Sequence, residues 1–329
     1  MSILVVGGAG YIGSHTVKLL DAAGMEPVVF DNLSSGHEWA LRWGKFERGD
    51  LADPDAIKSV LARHDVRAVI HFAALIQVGE SVTDPSKYFR ANFVNTLNLL
   101  DAMVAAGVRE IVFSSSAAVY GDPIRVPIDE DHPVAPLSPY GDSKLMIEKV
   151  LARYERAYGV RSSALRYFNA AGADPAGELG EAHPTESHLI PLALQAALGR
   201  GRPLSVFGTD YPTPDGTAVR DYVHVNDLAA AHVAALRHLA GGGASFVANV
   251  GIGRGYSVRE VLATVEKVAG LPVPHQLAPR RAGDSPVLVA DANRIRSLLD
   301  WKPQHADLEE IVSHAWNWER RRPHGGDQW

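Results

Sequence analysis

Residues 3–13 read ILVVGGAGYIG, and this stretch decides the fold of the first half of the chain. The four aliphatic residues predict a buried strand, and the glycines that follow have the spacing G-x-x-G-x-x-G. Gly7 permits a tight turn, Gly10 lets a ligand approach the backbone, and Gly13 lets a helix pack closely against the strand. The turn therefore predicts a site where the pyrophosphate of a dinucleotide meets the N-terminus of a helix.

The second predicted strand, 27–30, favours one of the two nicotinamide dinucleotides. It ends at Asp31, 18 residues after Gly13. An acidic residue at this distance bonds the hydroxyls of the adenosine ribose. Because a carboxylate there would repel the 2′-phosphate of NADP, the sequence favours NAD.

Strand and helix patterns alternate outward from this turn as far as residue 168. The predicted strands are 3–6, 27–30, 68–72, 110–113 and 163–168, and the predicted helices between them are 14–23, 54–63, 96–106 and 145–158. This alternation is typical of an α/β fold whose parallel sheet is doubly wound, of the Rossmann type, with helices on both faces.

The pattern changes after residue 168. Two stretches rich in Gly, Pro, Asp and Thr, 169–187 and 208–220, predict long loops, and helices return at 189–198, 228–239, 258–268 and 308–319. We therefore expect an NAD-binding domain at 1–168, to which some later segments return. A smaller mixed α/β lobe, 169–329, would lie over the carboxyl edge of the sheet and bind most of the substrate, because ligands bind at that edge in such folds.

The composition excludes several classes of protein. The 329 residues include no cysteine, which rules out disulfides, thiolate metal sites and a cysteine nucleophile. The net charge of −6, without a long basic run, does not indicate a nucleic acid partner. No apolar stretch reaches the ~20 residues of a membrane helix. The histidines other than His188, including His15 and His71, show no metal-ligand spacing, so we expect no metal site. The absence of cysteine fits the reducing cytoplasm, where we expect the protein to act.

A second informative segment, SPYGDSK, covers residues 138–144. Ser138 and Pro139 predict the N-cap and first position of a helix, which places Tyr140 and Lys144 on one face. A lysine and a positive nicotinamide ring beside a phenol both favour the phenolate, so Tyr140 is a candidate general base. The alternative is a buried tyrosine followed by a surface lysine.

A serine run follows the predicted strand at 110–113. Ser116, its last member, would lie at the carboxyl end of that strand, where a hydroxyl can bond both the tyrosine and a substrate oxygen. The alternative is a serine-rich turn without a role in binding.

These motifs resemble the extended short-chain dehydrogenase/reductase family over nearly the whole chain. The matching segments, in order, are GGAGYIGSH (7–15), DNL (31–33), GDL (49–51), HFAA (71–74), VGES (78–81), SSSAAVYG (114–121), Y-x-x-x-K (140–144), LRYFN (165–169) and RDYVHV (220–225).

The resemblance implies roles for individual residues. Ser116, Tyr140 and Lys144 would be catalytic. The implied cofactor-binding residues are Gly7, Gly10, Tyr11, Ile12, Gly13, Asp31, Asn32, Leu33, Asp50, Leu51, Phe72, Ala73, Ala74, Ser114, Tyr140, Lys144, Tyr167 and Phe168. The implied substrate-binding residues are Ser116, Tyr140, Asn169, His188, Leu189, Ser205, Val206, Phe207, Arg220, Tyr222, Arg281 and Asp284.

The resemblance also implies a reaction: reversible interconversion of UDP-glucose and UDP-galactose by transient oxidation at sugar C4, with tightly bound NAD and Tyr140 as general base. Other NAD-dependent nucleotide-sugar reactions remain as alternatives: 4,6-dehydration, decarboxylation and 4-epimerisation of UDP-N-acetylhexosamines. Dehydratases of the family carry an acidic residue where this chain has Ala117 and Ala118, which favours simple epimerisation. Leu288, an expected wall of the sugar pocket, leaves the acceptance of N-acetyl sugars open. A non-enzymatic NAD sensor would need a damaged Ser/Tyr/Lys set, whereas this set is intact.

Two predicted helices, 96–106 and 145–158, carry more apolar positions than one buried face requires. The resemblance implies that they form a four-helix contact in a homodimer. The alternative is that both helices are fully used inside the monomer.

Overall fold

The computed structural model describes residues 1–200, 203–281 and 284–322. The final residues of the expected substrate lobe, 323–329, therefore lie outside the described part of the chain. No helix in the described part is long and apolar enough to cross a membrane.

The strands and helices follow each other through the whole described chain. The strands are β1 (Ser2–Val6), β2 (Glu26–Asp31), β3 (Lys45–Arg48), β4 (Ala68–His71), β5 (Glu110–Ser116), β6 (Arg161–Tyr167), β7 (Asn169–Ala171), β8 (Leu204–Phe207), β9 (Val219–His224), β10 (Phe246–Val250), β11 (Gly255–Ser257), β12 (His275–Ala278) and β13 (Val287–Leu288). The helices are α1 (Tyr11–Ala22), α2 (Pro54–Arg63), α3 (Val78–Thr83), α4 (Pro85–Tyr88), α5 (Asn95–Ala106), α6 (Pro139–Tyr158), α7 (Leu189–Ala197), α8 (Val225–Ala240), α9 (Val258–Ala269), α10 (Asn293–Leu299) and α11 (Leu308–Glu319).

The first layer is a seven-stranded sheet with the order β3-β2-β1-β4-β5-β6-β10. All neighbouring pairs in this sheet are parallel. The strand order reverses between β1 and β4, and this reversal creates the crevice in which doubly wound sheets bind ligands. The predicted Rossmann-type fold is confirmed.

Alternating side chains of β1 point to two separate cores. Ile3 and Val5 join a core that also contains buried residues of α1, α8 and α10. Leu4 and Val6 join a core on the opposite face, with buried residues of α2, α5 and α6. Because both faces are covered, the strand is apolar throughout, as a buried parallel strand must be.

Two strands of this sheet escaped the sequence analysis. β3 is an edge strand whose four residues are exposed or half-exposed, so it has no apolar run to mark it. β10 comes from the second half of the chain and pairs with β6. α8 also returns to the first sheet, where its buried residues pack in the same core as α1.

The second lobe is built from small sheets and three helices around its own core. β9 pairs with β7, β11 and β13, and β8 pairs with β12. Buried residues of α7, α9 and α11 form the core beside these strands. The lobe is therefore of mixed α/β type, and β7 and β13 carry its residues to the carboxyl edge of the first sheet.

Candidate functional site

A cavity of ≈ 860 Å³ opens at the carboxyl edge of the seven-stranded sheet. Its wall includes the glycine turn after β1, the ends of β2, β4 and β5, the start of α6, and segments of the second lobe. Most of the implied cofactor residues line it: Gly7, Gly10, Tyr11, Ile12, Gly13, Asp31, Asn32, Asp50, Leu51, Phe72, Ala73, Ala74, Ser114, Tyr140, Tyr167 and Phe168.

The three glycines of the turn have the roles that their spacing predicts. Gly7 has φ +79°, and a Cβ there would lie 2.5 Å from the backbone nitrogen of Ala73. A Cβ on Gly13 would lie 2.2 Å from the carbonyl oxygen of Gly7. At Gly10 the nearest atom to a Cβ is the same carbonyl oxygen at 3.4 Å. Gly10 thus presents bare backbone to the cavity, as the close approach of a pyrophosphate requires.

The N-terminus of α1 faces the same cavity. Gly10 is its N-cap and provides no side-chain cap. The first N–H groups of a helix have no partner within the helix, and together with the helix dipole they favour a negative group. The residues present therefore fit the phosphates of a dinucleotide.

The end of β2 forms the part of the cavity predicted to hold the adenosine ribose. The two oxygens of Asp31 accept hydrogen bonds from the backbone N–H groups of Ala9 (3.0 Å) and Leu33 (2.8 Å), which fix the carboxylate against the turn. Asn32 donates to Asp50 at 2.8 Å on the same side. Leu33, by contrast, does not line the cavity. It has φ +61°, and its side chain packs against the core, so its role in cofactor binding stays a prediction.

The candidate catalytic residues come from β5 and α6. Ser116 is the last residue of β5, and its hydroxyl accepts a hydrogen bond from the N–H of Ala118 at 3.1 Å. α6 begins at Pro139, and the Ser138 hydroxyl accepts from the N–H of Gly141 at 3.2 Å. The predicted cap and the helical placement of Tyr140 and Lys144 are confirmed.

The electrostatics of Tyr140 differ from the expectation. Burial raises the pKa of Tyr140 well above its ordinary value, although its hydrogen bond with Ser116 acts in the opposite direction. Burial also lowers the pKa of Lys144 to about 7, against the opposing effect of Glu148. The protein groups alone therefore keep the phenol protonated near neutral pH. A phenolate needs a further positive charge beside it.

Lys144 lies beneath the cavity rather than in its wall. Its Nζ donates to the carbonyl oxygen of Ser114 at 2.8 Å and lies 5.8 Å from the centre of the Tyr140 ring. The alternative of a solvent-exposed lysine is wrong, since Lys144 is 2% exposed.

A buried ion pair fixes α6 to the sheet one turn after Lys144. Glu148 accepts from Arg166 Nη2 at 2.5 Å and Nε at 2.9 Å, and from the Ser115 hydroxyl at 2.6 Å. Arg166 also donates to the Tyr120 hydroxyl at 3.0 Å. Both charges are hydrogen-bonded, as buried ions must be. The network holds the helix of Tyr140 and Lys144 against β5 and β6.

The sequence analysis missed Asn92, a buried residue in the π-helical turn Phe89–Val94 before α5. Its side chain exchanges hydrogen bonds with the backbone of Leu75 (2.8 and 3.0 Å) and donates to Ser143 at 3.2 Å. It therefore joins the cavity wall to the residue before Lys144. An asparagine inside a helical pattern gives no sequence signal for this role.

The implied substrate residues fall into two groups. Ser116, Tyr140, Asn169 and His188 line the cavity, and so do Ala117, Ala118 and Leu288. The remaining ones, which lie outside its wall, are Leu189, Ser205, Val206, Phe207, Arg220, Tyr222, Arg281 and Asp284.

Strand pairing places two residues of the second group beside the cavity wall. Arg220 is paired in register with Leu288, and Tyr222 with Asn169. Arg220 forms an ion pair with Asp284, so its guanidinium is already partnered. The Arg281 guanidinium lies 3.9 Å from the centre of the Phe207 ring.

Val206 lies outside the cavity wall. β8 alternates buried and half-buried residues, with Val206 in the core of the lobe and Ser205 and Phe207 on the open face. Val206 is only 2% exposed, and its role in substrate binding stays a prediction.

His188 is held by acidic neighbours. Its Nδ1 lies 2.7 Å from Glu181 Oε1 and 3.1 Å from Glu186 Oε1. Burial alone would lower the pKa of His188, but the two carboxylates raise it to about 10. The sequence analysis gave this residue a substrate contact alone and overlooked its two carboxylate partners.

Fold and site together define an enzyme that combines a dinucleotide-binding turn with a Ser/Tyr/Lys set. The model of the NAD dependent epimerase/dehydratase family matches residues 3–251, and the chain belongs to this family. This membership confirms the predictions of an enzyme and of NAD as its cofactor.

Relatives at high identity agree with the family. The chain is 54% identical to the UDP-glucose 4-epimerase of Rhizobium meliloti (strain 1021) over 325 residues. This alignment covers 99% of each chain. The structure matches that of UDP-glucose 4-epimerase from Brucella ovis in complex with NAD with a TM-score of 0.94, at 50% identity over 96% of this chain and 97% of that chain. The enzyme from Bifidobacterium longum in complex with NAD+ and UDP gives a TM-score of 0.94 at 39% identity, over 99% and 100% of the chains.

Proposed function

We propose that the protein is an isomerase that interconverts UDP-glucose and UDP-galactose by inverting the configuration at sugar C4. The observation that carries this proposal is the placement of Ser116 and Tyr140 in the wall of one cavity that also contains the glycine turn. The relatives named above support the substrates, because each is a UDP-glucose 4-epimerase.

In the proposed mechanism, Tyr140, Ser116 and Lys144 have different roles. Tyr140 takes the proton from the 4-hydroxyl group of the sugar and returns it after inversion. Ser116 bonds the phenol and orients the sugar oxygen, and Lys144 holds the ribose next to the nicotinamide. When bound, NAD supplies the hydride acceptor for C4 and a positive charge that favours the Tyr140 phenolate.

The cavity wall opposes the dehydratase alternative. Elimination of water requires an additional acid and base close to the sugar. Ala117 and Ala118 present methyl groups to the cavity in the place where dehydratases carry an acidic side chain. Methyl groups cannot transfer protons, so the intermediate is reduced again rather than dehydrated.

The contacts proposed for the UDP moiety come from the lobe side. Asn169 and His188 line the cavity, and Arg220 and Tyr222 pair with residues of its wall. We propose that Leu189, Ser205, Phe207 and Arg281 join these contacts when the UDP moiety binds. A guanidinium can bond a diphosphate at two points. We propose that the diphosphate replaces Asp284 as a partner of Arg220, while Asp284 turns to a hydroxyl or amide of the ligand.

The first prediction tests the reaction. The purified protein should convert UDP-galactose to UDP-glucose without added nucleotide, because its NAD is regenerated in every cycle. NMR measures the conversion of UDP-galactose to UDP-glucose. Absorbance at the NADH wavelength measures any net reduction of NAD. A 4-keto-6-deoxy product would establish a dehydratase instead. Consumption of added NAD in proportion to product would place the protein in another reaction class.

The second prediction concerns a homodimer formed through α5 and α6. Leu97, Val104 and Val150 are only half-buried in the monomer, and Tyr158 at the end of α6 is 51% exposed. A second copy would cover this apolar surface and give a four-helix contact. Light scattering should give twice the chain mass of 35.4 kDa. A Val150→Glu variant should shift toward the monomer, and a single monomeric species for the unaltered protein would contradict the contact.

We propose that the protein acts in the cytoplasm. A chain of 329 residues without cysteine is compatible with its reducing conditions.

A further inference from the structure

Four side chains of the segment between β7 and α7 converge beside the cavity: Glu181, His183, Glu186 and His188. One ligand atom from each lies within 4.8 Å of the others. We propose that this cluster, the 181–188 cluster, binds one transition metal ion of the zinc type. This site goes beyond the proposed function and does not depend on it.

The distances within the cluster have the size of a metal site. His188 Nδ1 lies 2.7 Å from Glu181 Oε1 and 3.1 Å from Glu186 Oε1, and His183 Nδ1 lies 3.1 Å from Glu181 Oε1 and 3.5 Å from Glu186 Oε2. In a tetrahedral site with metal–ligand distances of about 2.1 Å, neighbouring ligand atoms are about 3.4 Å apart. Small outward movements of the side chains would therefore complete the geometry.

Three of these atoms lack a suitable hydrogen-bond partner. Glu181 Oε1, His183 Nδ1 and Glu186 Oε2 are buried without a hydrogen bond of acceptable geometry. The side chains of Glu181 and Glu186 are only 5% and 6% exposed. Within the cluster, the two carboxylates are balanced only by the imidazoles of His183 and His188, and a metal ion among the four side chains would replace the imidazole protons.

The chemistry of the donors selects the kind of ion. Two imidazole nitrogens and two carboxylate oxygens suit zinc and its neighbours in the first transition series, whereas magnesium and calcium prefer oxygen ligands alone. Because the protein supplies all four ligands, no position remains for a substrate or an activated water. The ion is therefore structural rather than catalytic.

The position of the cluster indicates what the ion stabilises. The His183 and Tyr11 rings are nearly perpendicular, with 6.3 Å between ring centres, and Tyr11 is the first residue of α1. Trp318 donates to the carbonyl oxygen of Glu181 at 3.0 Å and holds the segment from the other side. An ion bound here would fix the wall of the cavity next to the phosphate-binding turn.

The third prediction tests this site on the full protein with its cofactor, purified without chelators and dialysed against zinc. Mass spectrometry should find about one zinc per chain, and the His183→Ala/His188→Ala variant should keep less than about a tenth of it. Chelation should lower the Tm of the unaltered protein and leave that of the variant unchanged, since only a protein that binds the ion is stabilised by it.

The control uses the other His/carboxylate group in the described part of the chain, formed by His305, Glu310 and His314. The His305→Ala/His314→Ala variant should keep its zinc. Retention of zinc by the His183/His188 variant, or loss of zinc from the control alone, would overturn the proposal, and so would an unaltered protein that binds no zinc.

A second measurement covers the case in which the double variant does not fold. Cobalt in the unaltered protein should give the strong visible absorption of four-coordinate sites, and X-ray absorption should show two imidazole ligands. An octahedral cobalt spectrum would overturn the proposal. Neither measurement involves turnover, so failure of the proposed epimerase activity would leave it standing.

Discussion

Replacement of Tyr140 by phenylalanine should lower kcat by about 10²–10⁴-fold, the usual contribution of a general acid or base. The phenol oxygen is the group that exchanges the proton of the sugar 4-hydroxyl, and the ring that remains fills the same buried space. The free energy of unfolding should therefore change little. Because the lost interaction belongs to the transition state, kcat and kcat/KM should fall by similar factors.

The matched control for this variant is Tyr88→Phe. Tyr88 also lines the cavity, but its hydroxyl donates to Glu80 at 2.8 Å and has no place in the proposed proton transfer. This variant should retain most of its turnover. Initial rates, thermal unfolding and NAD content measured side by side would separate chemistry from folding. Near-normal turnover of Tyr140→Phe would remove Tyr140 from its role.

The Gly13→Ala variant should lose its bound NAD. The new Cβ would lie 2.2 Å from the Gly7 carbonyl oxygen and 2.9 Å from the Gly8 Cα, and both atoms belong to the backbone of the phosphate-binding turn. The turn must therefore move. Overpacking of this kind costs about 1–3 kcal/mol, and each ~1.4 kcal/mol lost from binding weakens affinity tenfold. Turnover without added NAD should fall, and millimolar NAD should restore part of it.

Gly79→Ala is the control for Gly13→Ala. Gly79 lies in the first turn of α3, and apart from its chain neighbours and the backbone of its own helix no atom lies within 4 Å of the position of its Cβ. Alanine is favoured over glycine in a helix, so this variant should keep its cofactor and its stability. The NAD content per chain, measured by absorbance after denaturation, compares the two. Equal content in Gly13→Ala and the unaltered protein would contradict the close packing at this turn.

Local patterns in the sequence predicted the structure correctly where it depends on neighbouring residues alone. The strand, glycine turn and helix at residues 2–22 follow from spacing alone, and the start of α6 follows from Ser138 and Pro139. The pattern was insufficient at β3, whose exposed edge needs no apolar run, and at β10, whose pairing with β6 is a contact between distant parts of the chain.

In the site, too, local patterns were predictable from the sequence, whereas effects of the folded structure were not. The sequence places Tyr140 and Lys144 on one helix face, but it does not show that burial raises the pKa of Tyr140 and lowers that of Lys144. The 181–188 cluster lies in a loop without helical periodicity, so its side chains meet only because the folded loop brings them together. The sequence pattern therefore predicts no metal site, whereas the folded loop brings together the four side chains of the proposed zinc site.

The late arrival of β10 has a consequence for synthesis on the ribosome. The partner of β6 in the completed sheet, Phe246–Val250, is translated only after the whole intervening segment 168–245. At roughly 5–20 residues per second, the nascent chain leaves the edge of β6 unpaired for several seconds. During that interval the unpaired backbone N–H and C=O groups of β6 are open to pairing with another nascent chain.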